Sequence, residues 1–333
     1  MRQTGMSPGQ PLAGRRILVL GGSGFIGTTL VRDLLADGAV VGNLDPLPPP
    51  EAGQRACWQA GSVLDRAALA ACLARFAPDQ LVHLAAETEI APAGPDLAGT
   101  YPVNATSADL LAEACAPLGL ERTVIVSTQY VCGPAGGLPR SDTHTFPHTD
   151  YGRSKVLLEE AVRRRFPGPW CILRPTYVWG PGNHKGFLDL LRTLASGRYL
   201  HPGPPPVLRA YAYVGTVSWF IRQALSLPAA VGGTFYATDA PEDSRGFVDR
   251  LSLALRGRRA RSAPRLLLRG LAALGDLSGL LPINGFRYRN MTTAYPVPTA
   301  ATTQVFGPPP TDLAAAAGET ARWFRSLSGA GHA

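Results

Sequence analysis

A tyrosine and a lysine four residues apart, Tyr151 and Lys155, have the strongest potential for acid–base chemistry in this sequence. This spacing places both on one face of a helix, where the ammonium favours the phenolate and lowers the tyrosine pKa. Tyr151 can then accept a proton from a substrate hydroxyl. A β-branched strand at residues 122–127 ends in Ser127 and Thr128, whose hydroxyls we expect at the same crevice. The alternative for the spacing alone is a surface pair.

A glycine-rich turn predicts where a nucleotide cofactor binds. Ile17 to Leu20 predicts a buried strand, and residues 25–36 predict an amphipathic helix. Strand, glycine turn and helix in this order are typical of a dinucleotide-binding βαβ unit. Gly21 permits the turn, Gly24 lets the backbone approach a pyrophosphate, and Gly27 allows close helix packing. The N–H groups that begin the helix donate to phosphates. A tight turn without a ligand is the alternative.

An aspartate at the end of the second predicted strand, Asp45, indicates which dinucleotide is bound. Its carboxylate can accept hydrogen bonds from the adenine ribose hydroxyls and repels a 2′-phosphate. A proline-rich segment follows, and Arg55 is the first basic residue after it. The sequence therefore predicts NAD rather than NADP; an aspartate that only caps a loop is the alternative.

Length and composition predict an ordinary globular protein. The chain has 333 residues, of which 45% are hydrophobic and 17% charged, enough for one large α/β unit and a smaller lobe. Its five cysteines show no metal-type or redox-type spacing. We therefore expect no metal site and predict buried thiols in a reducing cytoplasm.

The charge and hydropathy patterns argue against two classes of partner. The net charge of +8 predicts a solvated basic face, because no recognised nucleic-acid module accompanies it. No apolar stretch is long enough for an integral membrane segment. The apolar run Leu266 to Leu281 can touch a membrane surface or, in the commoner case, pack on its own protein.

Alternating strand and helix patterns predict the fold class. They indicate an α/β protein with a Rossmann-type, doubly wound parallel sheet and a smaller C-terminal substrate-binding lobe. We predict a disordered leader at 1–14, an NAD-binding Rossmann domain at 15–175, and mostly a substrate-binding lobe with C-terminal helices at 176–330.

Six motifs occur in order along the chain: Gly21–Gly27, His83-Leu-Ala-Ala86, Asn104, Ser127-Thr128, Tyr151-Gly-Arg-Ser-Lys155 and Arg174-Pro175. Together they resemble the extended short-chain dehydrogenase/reductases, and within them the NAD-dependent epimerase/dehydratase family that acts on nucleotide-sugars. The resemblance runs from about Arg16 to Val214. It implies a homodimer and a catalytic trio of Thr128, Tyr151 and Lys155.

The glycine turn, Asp45 and the resemblance together predict the binding residues. Those for NAD are Gly21, Gly24, Phe25, Ile26, Gly27, Asp45, Ser62, Val63, Leu84, Ala85, Ala86, Asn104, Ser127, Tyr151 and Lys155. For substrate we predict Glu87, which follows the fourth strand, together with Gln129, Tyr130 and Asn183. The resemblance implies Arg209 on the substrate diphosphate.

Departures from the family pattern bear on the reaction. Ser62 replaces an aspartate that often lies near the adenine, and Gln129 and Tyr130 replace the acidic pair of 4,6-dehydratases. A 4-epimerase does not need that pair. We therefore expect an NAD-dependent nucleotide-sugar epimerase or oxidoreductase that works through hydride transfer and a 4-keto sugar.

Two alternatives remain open from the sequence. One is an NAD-dependent dehydrogenase of a hydroxysteroid-like or other small secondary alcohol, favoured by the apolar run from Leu266. The other is a non-catalytic NAD-sensing protein, which has no need of the base Tyr151.

Overall fold

The computed structural model describes residues 11–90, 96–278 and 283–329. They form two compact units, each built from three separate segments of the chain. Unit 1 runs through Thr176 and takes in Val214–Ala237 and Pro298–Pro309; unit 2 holds Tyr177–Tyr213, Thr238–Val297 and the chain from Pro310.

The strands and helices are numbered in chain order. The strands are β1 Arg16–Leu20, β2 Val40–Asp45, β3 Trp58–Ala60, β4 Gln80–His83, β5 Arg122–Val126, β6 Trp170–Pro175, β7 Tyr177–Trp179, β8 Leu200–Pro202, β9 Leu208–Arg209, β10 Tyr211–Tyr213, β11 Thr234–Ala237, β12 Glu242–Asp243 and β13 Arg261–Ala263. The helices are α1 Phe25–Ala36, α2 Arg66–Phe76, α3 Leu97–Thr100, α4 Pro102–Cys115, α5 Asp150–Arg165, α6 Gly186–Ala195, α7 Val214–Ser226, α8 Ser244–Arg256, α9 Arg265–Ser278, α10 Gly285–Thr292, α11 Ala300–Phe306 and α12 Leu313–Gly329.

Unit 1 contains a seven-stranded parallel sheet in the order β11-β6-β5-β4-β1-β2-β3. Helices flank it as two packed groups, α1 with α7 and α4 with both α2 and α5. The central strands are buried Val, Ile and Leu runs, as expected when both faces are covered. The strand order reverses at β1 and β4, where open α/β sheets form a ligand crevice. The predicted Rossmann-type fold is confirmed.

Local sequence explains where the elements that hold the site begin and end. Thr149 caps α5, its hydroxyl accepting from the Gly152 N–H at 3.0 Å. The residues from Gln80 to Ala86 predict a strand from their sequence, but β4 ends at His83. There the N–H groups of Leu84 and Ala85 both turn onto the Leu20 carbonyl at 2.8 Å, which ends the ladder.

Two later segments complete unit 1, so the linear division at residue 175 differs from the structure. Strand β11 pairs in parallel with β6 at the edge of the sheet. Helix α7 is tied to α1, because Ser218 donates to Asp33 at 2.6 Å and Arg222 pairs with Asp37 at 2.8 Å. Distant segments thus supply the edge and outer layer.

The predicted leader, 1–14, is described only from residue 11; residues 1–10 lie outside the described residues. Leu12 is buried, and the Gly14 N–H donates to the Gly38 carbonyl at 2.9 Å. Residues 11–14 therefore pack as part of unit 1.

Unit 2 is built from short strand pairs and helices around an aromatic core. Strands β7 and β10 pair in parallel, as do β8 and β13, and β9 pairs antiparallel with β12. Tyr211 stacks on Phe247 with ring centroids 3.9 Å apart, and Trp179 meets the same ring edge-on at 5.5 Å. Across the described residues, every helix is too short or too polar to span a membrane.

Candidate active site

The glycine turn between β1 and α1 is a backbone cradle. Gly21 has a φ of +86°, and a Cβ there would lie 2.6 Å from the Ala85 nitrogen. A Cβ at Gly27 would lie 2.3 Å from the Gly21 carbonyl oxygen. Packing therefore requires glycine at both positions. At Gly24 a Cβ would make only an ordinary 3.5 Å contact, so this side of the turn is open to an incoming pyrophosphate.

Two side chains from β2 hold this turn. Asn43 is buried and accepts from the Gly22 N–H at 2.9 Å while donating to the Ser23 hydroxyl at 3.1 Å. Asp45 accepts from the Ser23 N–H at 3.0 Å and from the Leu47 N–H at 2.9 Å. Each carboxylate oxygen keeps acceptor capacity beyond one bond, so the same side chain can meet ribose hydroxyls.

The other predicted NAD residues follow the ends of neighbouring strands. Ser62 and Val63 come after β3, where the Ser62 hydroxyl accepts from the Leu64 N–H at 3.2 Å. Phe25 and Ile26, in the first turn of α1, are half-buried. Gly24 caps that helix without a side chain, so it contributes no side-chain acceptor to the first-turn N–H groups.

Asn104 on α4 fixes the segment after β4. Its Nδ2 donates to the Glu87 carbonyl at 2.8 Å and to the Ser154 hydroxyl at 3.0 Å, and its Oδ1 accepts from the Glu87 N–H at 3.1 Å. Its amide thus joins the chain beyond Leu84-Ala85-Ala86 to α5, which carries Tyr151.

Glu87, predicted to face substrate, accepts a hydrogen bond from the first turn of α4. Its Oε2 accepts from the Val103 N–H at 3.1 Å. Burial raises the pKa of this carboxyl, and that backbone bond opposes the rise. The contact places Glu87 as a helix-terminal acceptor; a substrate role stays a prediction.

Tyr151 lies beside Thr128, as the sequence predicts. The Thr128 hydroxyl hydrogen-bonds to the Tyr151 side chain and accepts from the Tyr130 N–H at 3.3 Å. Tyr151 is buried between two aromatic rings, with centroids 5.9 Å from Tyr130 and 6.4 Å from Tyr101. These contacts hold the phenol in one place.

The tyrosine pKa moves opposite to the expected direction. Burial raises the pKa of Tyr151 to about 12, and the hydrogen bond from Thr128 opposes this rise. In the protein alone, desolvation of the phenolate outweighs what neighbouring groups supply. The lowering expected from Lys155 together with a positive nicotinamide ring stays a prediction for the NAD complex.

Lys155 is buried one helical turn further along α5. Burial lowers its pKa to about 8, and the Glu159 carboxylate opposes that shift. His83, at the end of β4, is also fully buried, with Nε2 2.8 Å from the Ser107 hydroxyl. Burial, together with the charge on Lys155, lowers the His83 pKa to about 3. The histidine is therefore neutral, and the nearby cation is the lysine.

Glu159, whose carboxylate acts on Lys155, forms a buried ion pair with Arg174. Arg174 on β6 contacts Glu159 with two bonds, Nε to Oε1 at 2.8 Å and NH2 to Oε2 at 2.6 Å. Burial would raise the Glu159 pKa, but Arg174 holds it below its usual value. We call His83, Lys155, Glu159 and Arg174 the buried charge cluster.

Gln129 and Tyr130 lie in a short 3-10 helix that follows Thr128. Gln129 is buried, and the Tyr130 ring stacks on His148 with centroids 5.4 Å apart. Ser127 is buried too, and its N–H donates to the Leu173 carbonyl at 2.7 Å. Neither of the two residues after Thr128 carries a carboxylate.

The predicted substrate residues of unit 2 make contacts within that unit. Asn183 donates to the Val178 carbonyl at 3.0 Å and accepts from the Lys185 N–H at 3.2 Å, closing its own loop. Arg209 pairs through β9 with β12, and its guanidinium donates to the Asn290 carbonyl. Their substrate roles stay predictions.

Sequence reasoning missed several residues that organise the site. The polar Asn43 lies two positions before Asp45 in a strand, and that spacing puts both on one face. That signal was available. Two other pairs had no comparable signal in the sequence. Glu159 and Arg174 are 15 positions apart, and His83 and Ser107 are 24 positions apart.

Comparison with known proteins agrees with this geometry. Residues 17–214 match the model of the NAD dependent epimerase/dehydratase family. The chain belongs to this family. Its cofactor is NAD, and the open side of Gly24 with Asp45 beside the turn fits that dinucleotide.

Three similar proteins illustrate the family. The chain is 30% identical over 237 residues to an N-acetyl-alpha-D-glucosaminyl-diphospho-ditrans,octacis-undecaprenol 4-epimerase of Escherichia coli O157:H7, covering 68% of each chain. A UDP-glucose 4-epimerase of Thermotoga maritima, solved with UDP-glucose, superposes with a TM-score of 0.70 at 20% identity, covering 94% of this chain and 99% of that one. The UDP-glucose 4-epimerase of Thermus thermophilus, solved with NAD, gives 0.68 at 22% identity, covering 93% and 99%.

The family's enzymes are epimerases and reductases, and this chain is an enzyme of that kind. Within the described ranges, no three His, Cys, Asp or Glu side chains group as metal ligands. The five cysteines are free thiols, and Cys57 alone among them is half-exposed.

Proposed function

We propose that this enzyme is a 4-epimerase of a sugar linked to a diphosphate, working through a 4-keto intermediate. The contact that carries the proposal is the hydrogen bond between Thr128 and the buried Tyr151, one helical turn before Lys155. It provides an oriented proton acceptor at the carboxyl end of β5. NAD supplies a hydride acceptor that returns the hydride in the second half-reaction.

The side chains handle the proton. Tyr151 accepts it from the C4 hydroxyl of the sugar as the C4–H bond breaks, and returns it to the ketone oxygen when that carbon is reduced on its other face. Because burial raises the Tyr151 pKa to about 12, the free protein keeps this phenol protonated. Deprotonation therefore needs positive charge beyond that of Lys155, and the nicotinamide ring of bound NAD would supply it.

Epimerisation is favoured over dehydration by the residues after Thr128. Elimination of water from a keto sugar needs an acid and a base near the adjacent carbons. Gln129 and Tyr130 supply no carboxylate at these positions. The keto sugar is therefore proposed to stay bound until it is reduced again.

Two classes of diphosphate sugar fit the proposal. A nucleotide-sugar is supported by the fold shared with the Thermotoga UDP-glucose 4-epimerase. A sugar diphosphate on a polyprenol is supported by the Escherichia relative, whose name gives such a substrate. Both favour a diphosphate sugar over a hydroxysteroid-like alcohol.

The test is a pair of incubations with NAD, one with a UDP-N-acetylhexosamine and one with a short-chain polyprenyl-diphospho-N-acetylhexosamine. We expect the C4 epimer, detected by proton NMR, from at least one of them, and none from Tyr151→Phe. Release of a stoichiometric keto sugar and NADH would instead assign a dehydrogenase. No turnover of either substrate, with NAD bound, would favour the NAD-sensing alternative.

We also propose that the enzyme is a cytoplasmic homodimer. The family resemblance supports the dimer, and five free thiols, four of them buried, support a reducing compartment. Light scattering of the purified protein, which gives its mass in solution, tests the dimer.

A further inference from the structure

Helix α9 in unit 2 turns most of its leucines toward solvent. Leu266 and Leu277 are 81% and 87% exposed, and Leu267 and Leu274 are more than half exposed. Only a narrow seam faces the protein, made by Leu268, Ala272 and Gly275. A helix that packs on its own protein would show the reverse distribution.

The exposed leucines form one continuous surface. At about 100° per residue, Leu266, Leu267, Leu274 and Leu277 fall within roughly 100° of arc. Gly270 lies inside this arc and Ala273 extends it. We call these four leucines the α9 leucine face. Phe286, 64% exposed at the start of α10, belongs to the helix that packs beside α9. The last part of the apolar run singled out in the sequence, residues 279–281, lies outside the described residues.

Positive charge is concentrated in the sequence on both sides of the α9 leucine face. From residue 256 to residue 291 the sequence holds a single carboxylate, Asp276, and eight arginines: Arg256, Arg258, Arg259, Arg261, Arg265, Arg269, Arg287 and Arg289. Six of them are exposed; Arg256 and Arg265 are half-buried. Asp276 accepts from the Gly285 N–H at 3.1 Å, which joins α9 to α10.

We propose that the α9 leucine face docks on the surface of an anionic lipid bilayer, with the helix lying in the plane of the interface. Apolar side chains bordered by arginines are what such a surface binds, because leucines enter the acyl boundary while guanidinium groups meet phosphates. At 14 residues the helix is about 21 Å long, too short to cross the hydrocarbon core.

A second copy of the chain fits this surface less well. A two-fold interface places the same patch on both sides, so the arginines of one copy would face those of the other. With eight arginines against one carboxylate, that arrangement concentrates like charge around the buried leucines. Lipid headgroups supply the opposite charge instead.

Binding of the α9 leucine face to lipid does not depend on the proposed chemistry, although the two connect. A protein bound to a bilayer is at the same surface as sugar diphosphates that are carried on polyprenols in that bilayer. That consequence rests on the proposed function, whereas binding to lipid does not. The experiment below therefore measures vesicle binding, and turnover of a soluble nucleotide-sugar or NAD binding is measured separately.

The test is co-flotation of the purified protein with vesicles of phosphatidylethanolamine and phosphatidylglycerol, compared with phosphatidylcholine alone. We expect binding to the anionic vesicles that weakens as salt is raised, since the arginine contribution is screened. The double variant Leu266→Ser/Leu277→Ser should bind about 100-fold more weakly, given what burial of two leucines contributes. Arg258→Gln/Arg259→Gln should weaken binding to anionic vesicles only.

Matched controls come from exposed residues elsewhere. Leu35→Ser/Leu157→Ser alters two exposed leucines of unit 1, and Arg66→Gln removes an exposed arginine of α2. Both should bind vesicles as the unaltered protein does, and all variants should keep their melting temperature and NAD affinity. Equal flotation of the leucine variant and its control would overturn the proposal. The proposal would also be overturned if the unaltered protein did not bind vesicles and the leucine variant had half its molecular mass in solution. That result would assign the face to a second copy of the chain.

Discussion

The buried charge cluster of unit 1 and the α9 leucine face of unit 2 depart from the usual distribution of side chains in opposite directions. In unit 1, Lys155, Glu159 and Arg174 are charged groups taken out of water. In unit 2, four leucines of one helix are left in water. Removing charge from water costs free energy unless partners are present, and exposing leucine gives up the free energy of burial.

The difference lies in where each region finds its partners. Arg174 and Glu159 satisfy each other through two hydrogen bonds, so their desolvation is offset inside the fold. The α9 leucine face has no such partner among the described residues of unit 2, beyond the seam that α9 already buries. Altering the first region should therefore damage the protein itself, and altering the second should change what the protein binds.

The largest effect is expected at the proton acceptor. Tyr151→Phe keeps the ring between Tyr101 and Tyr130 and removes only the hydroxyl. Positioned acid–base catalysis contributes about 10²–10⁴-fold, so turnover should fall by that factor while NAD affinity and melting temperature stay unchanged. Steady-state kinetics and calorimetry measure both. Near-normal turnover would require another base, with Glu87 the next to test.

The second prediction concerns the ion pair of the buried charge cluster. Arg174→Met removes the two-bond partner of the buried Glu159 carboxylate, which keeps a single bond from Arg163 at 3.1 Å. The change should cost up to about 3–5 kcal/mol in the free energy of unfolding. The double variant Arg174→Met/Glu159→Gln carries no buried charge at this pair and should lose less. Urea denaturation compares the two. Equal losses would show that packing, rather than uncompensated charge, sets the cost.

The third prediction separates the two sides of α9. Leu268→Ala empties a buried position and should cost about 2–5 kcal/mol of stability. Leu266→Ala, two residues earlier and 81% exposed, should change stability by no more than about 0.5 kcal/mol. A large loss at Leu266 in the same denaturation experiment would mean that this face packs on protein in solution.

The fourth prediction contrasts a second arginine with Arg174. Arg209 lies on a two-residue strand of unit 2 and is only half-buried. If it binds the substrate diphosphate, Arg209→Ala loses charge-assisted bonds worth about 1.5–3 kcal/mol and raises KM by the matching factor. NAD affinity should not change. An unaltered KM with a lower melting temperature would assign Arg209 to its contact with Asn290.

The smallest effect is a pH dependence of NAD binding. The pKa of Lys155 is lowered to about 8, so the ammonium loses its proton as the pH rises through that value. Attraction for the negatively charged dinucleotide is lost with it, and NAD affinity should decline above pH 8. Lys155→Met should bind NAD more weakly below that pH and show no such step. Fluorescence titration across this range tests it; the same step in the variant would assign it to another group.

Much of unit 1 could be predicted because its signals are local. The run from β1 through α1 needs only a buried strand, glycines and an amphipathic helix, and α1 begins and ends at the predicted residues. Tyr151 and Lys155 share a helix, so their spacing sufficed to place them on one face. By contrast, β4 ended early because two N–H groups turn onto Leu20, a residue more than sixty positions away.

The sequence alone determined the order of the strands β1 to β6, the glycine turn, the four-residue spacing of Tyr151 and Lys155, and the family resemblance, since each can be seen in residue types along the chain. Only the tertiary structure decided that β11 and α7 return to unit 1. It also decided that burial raises the Tyr151 pKa, and that the α9 leucines face solvent. A pKa and a buried face depend on which distant groups exclude water, and the chain brings those groups together only when it folds.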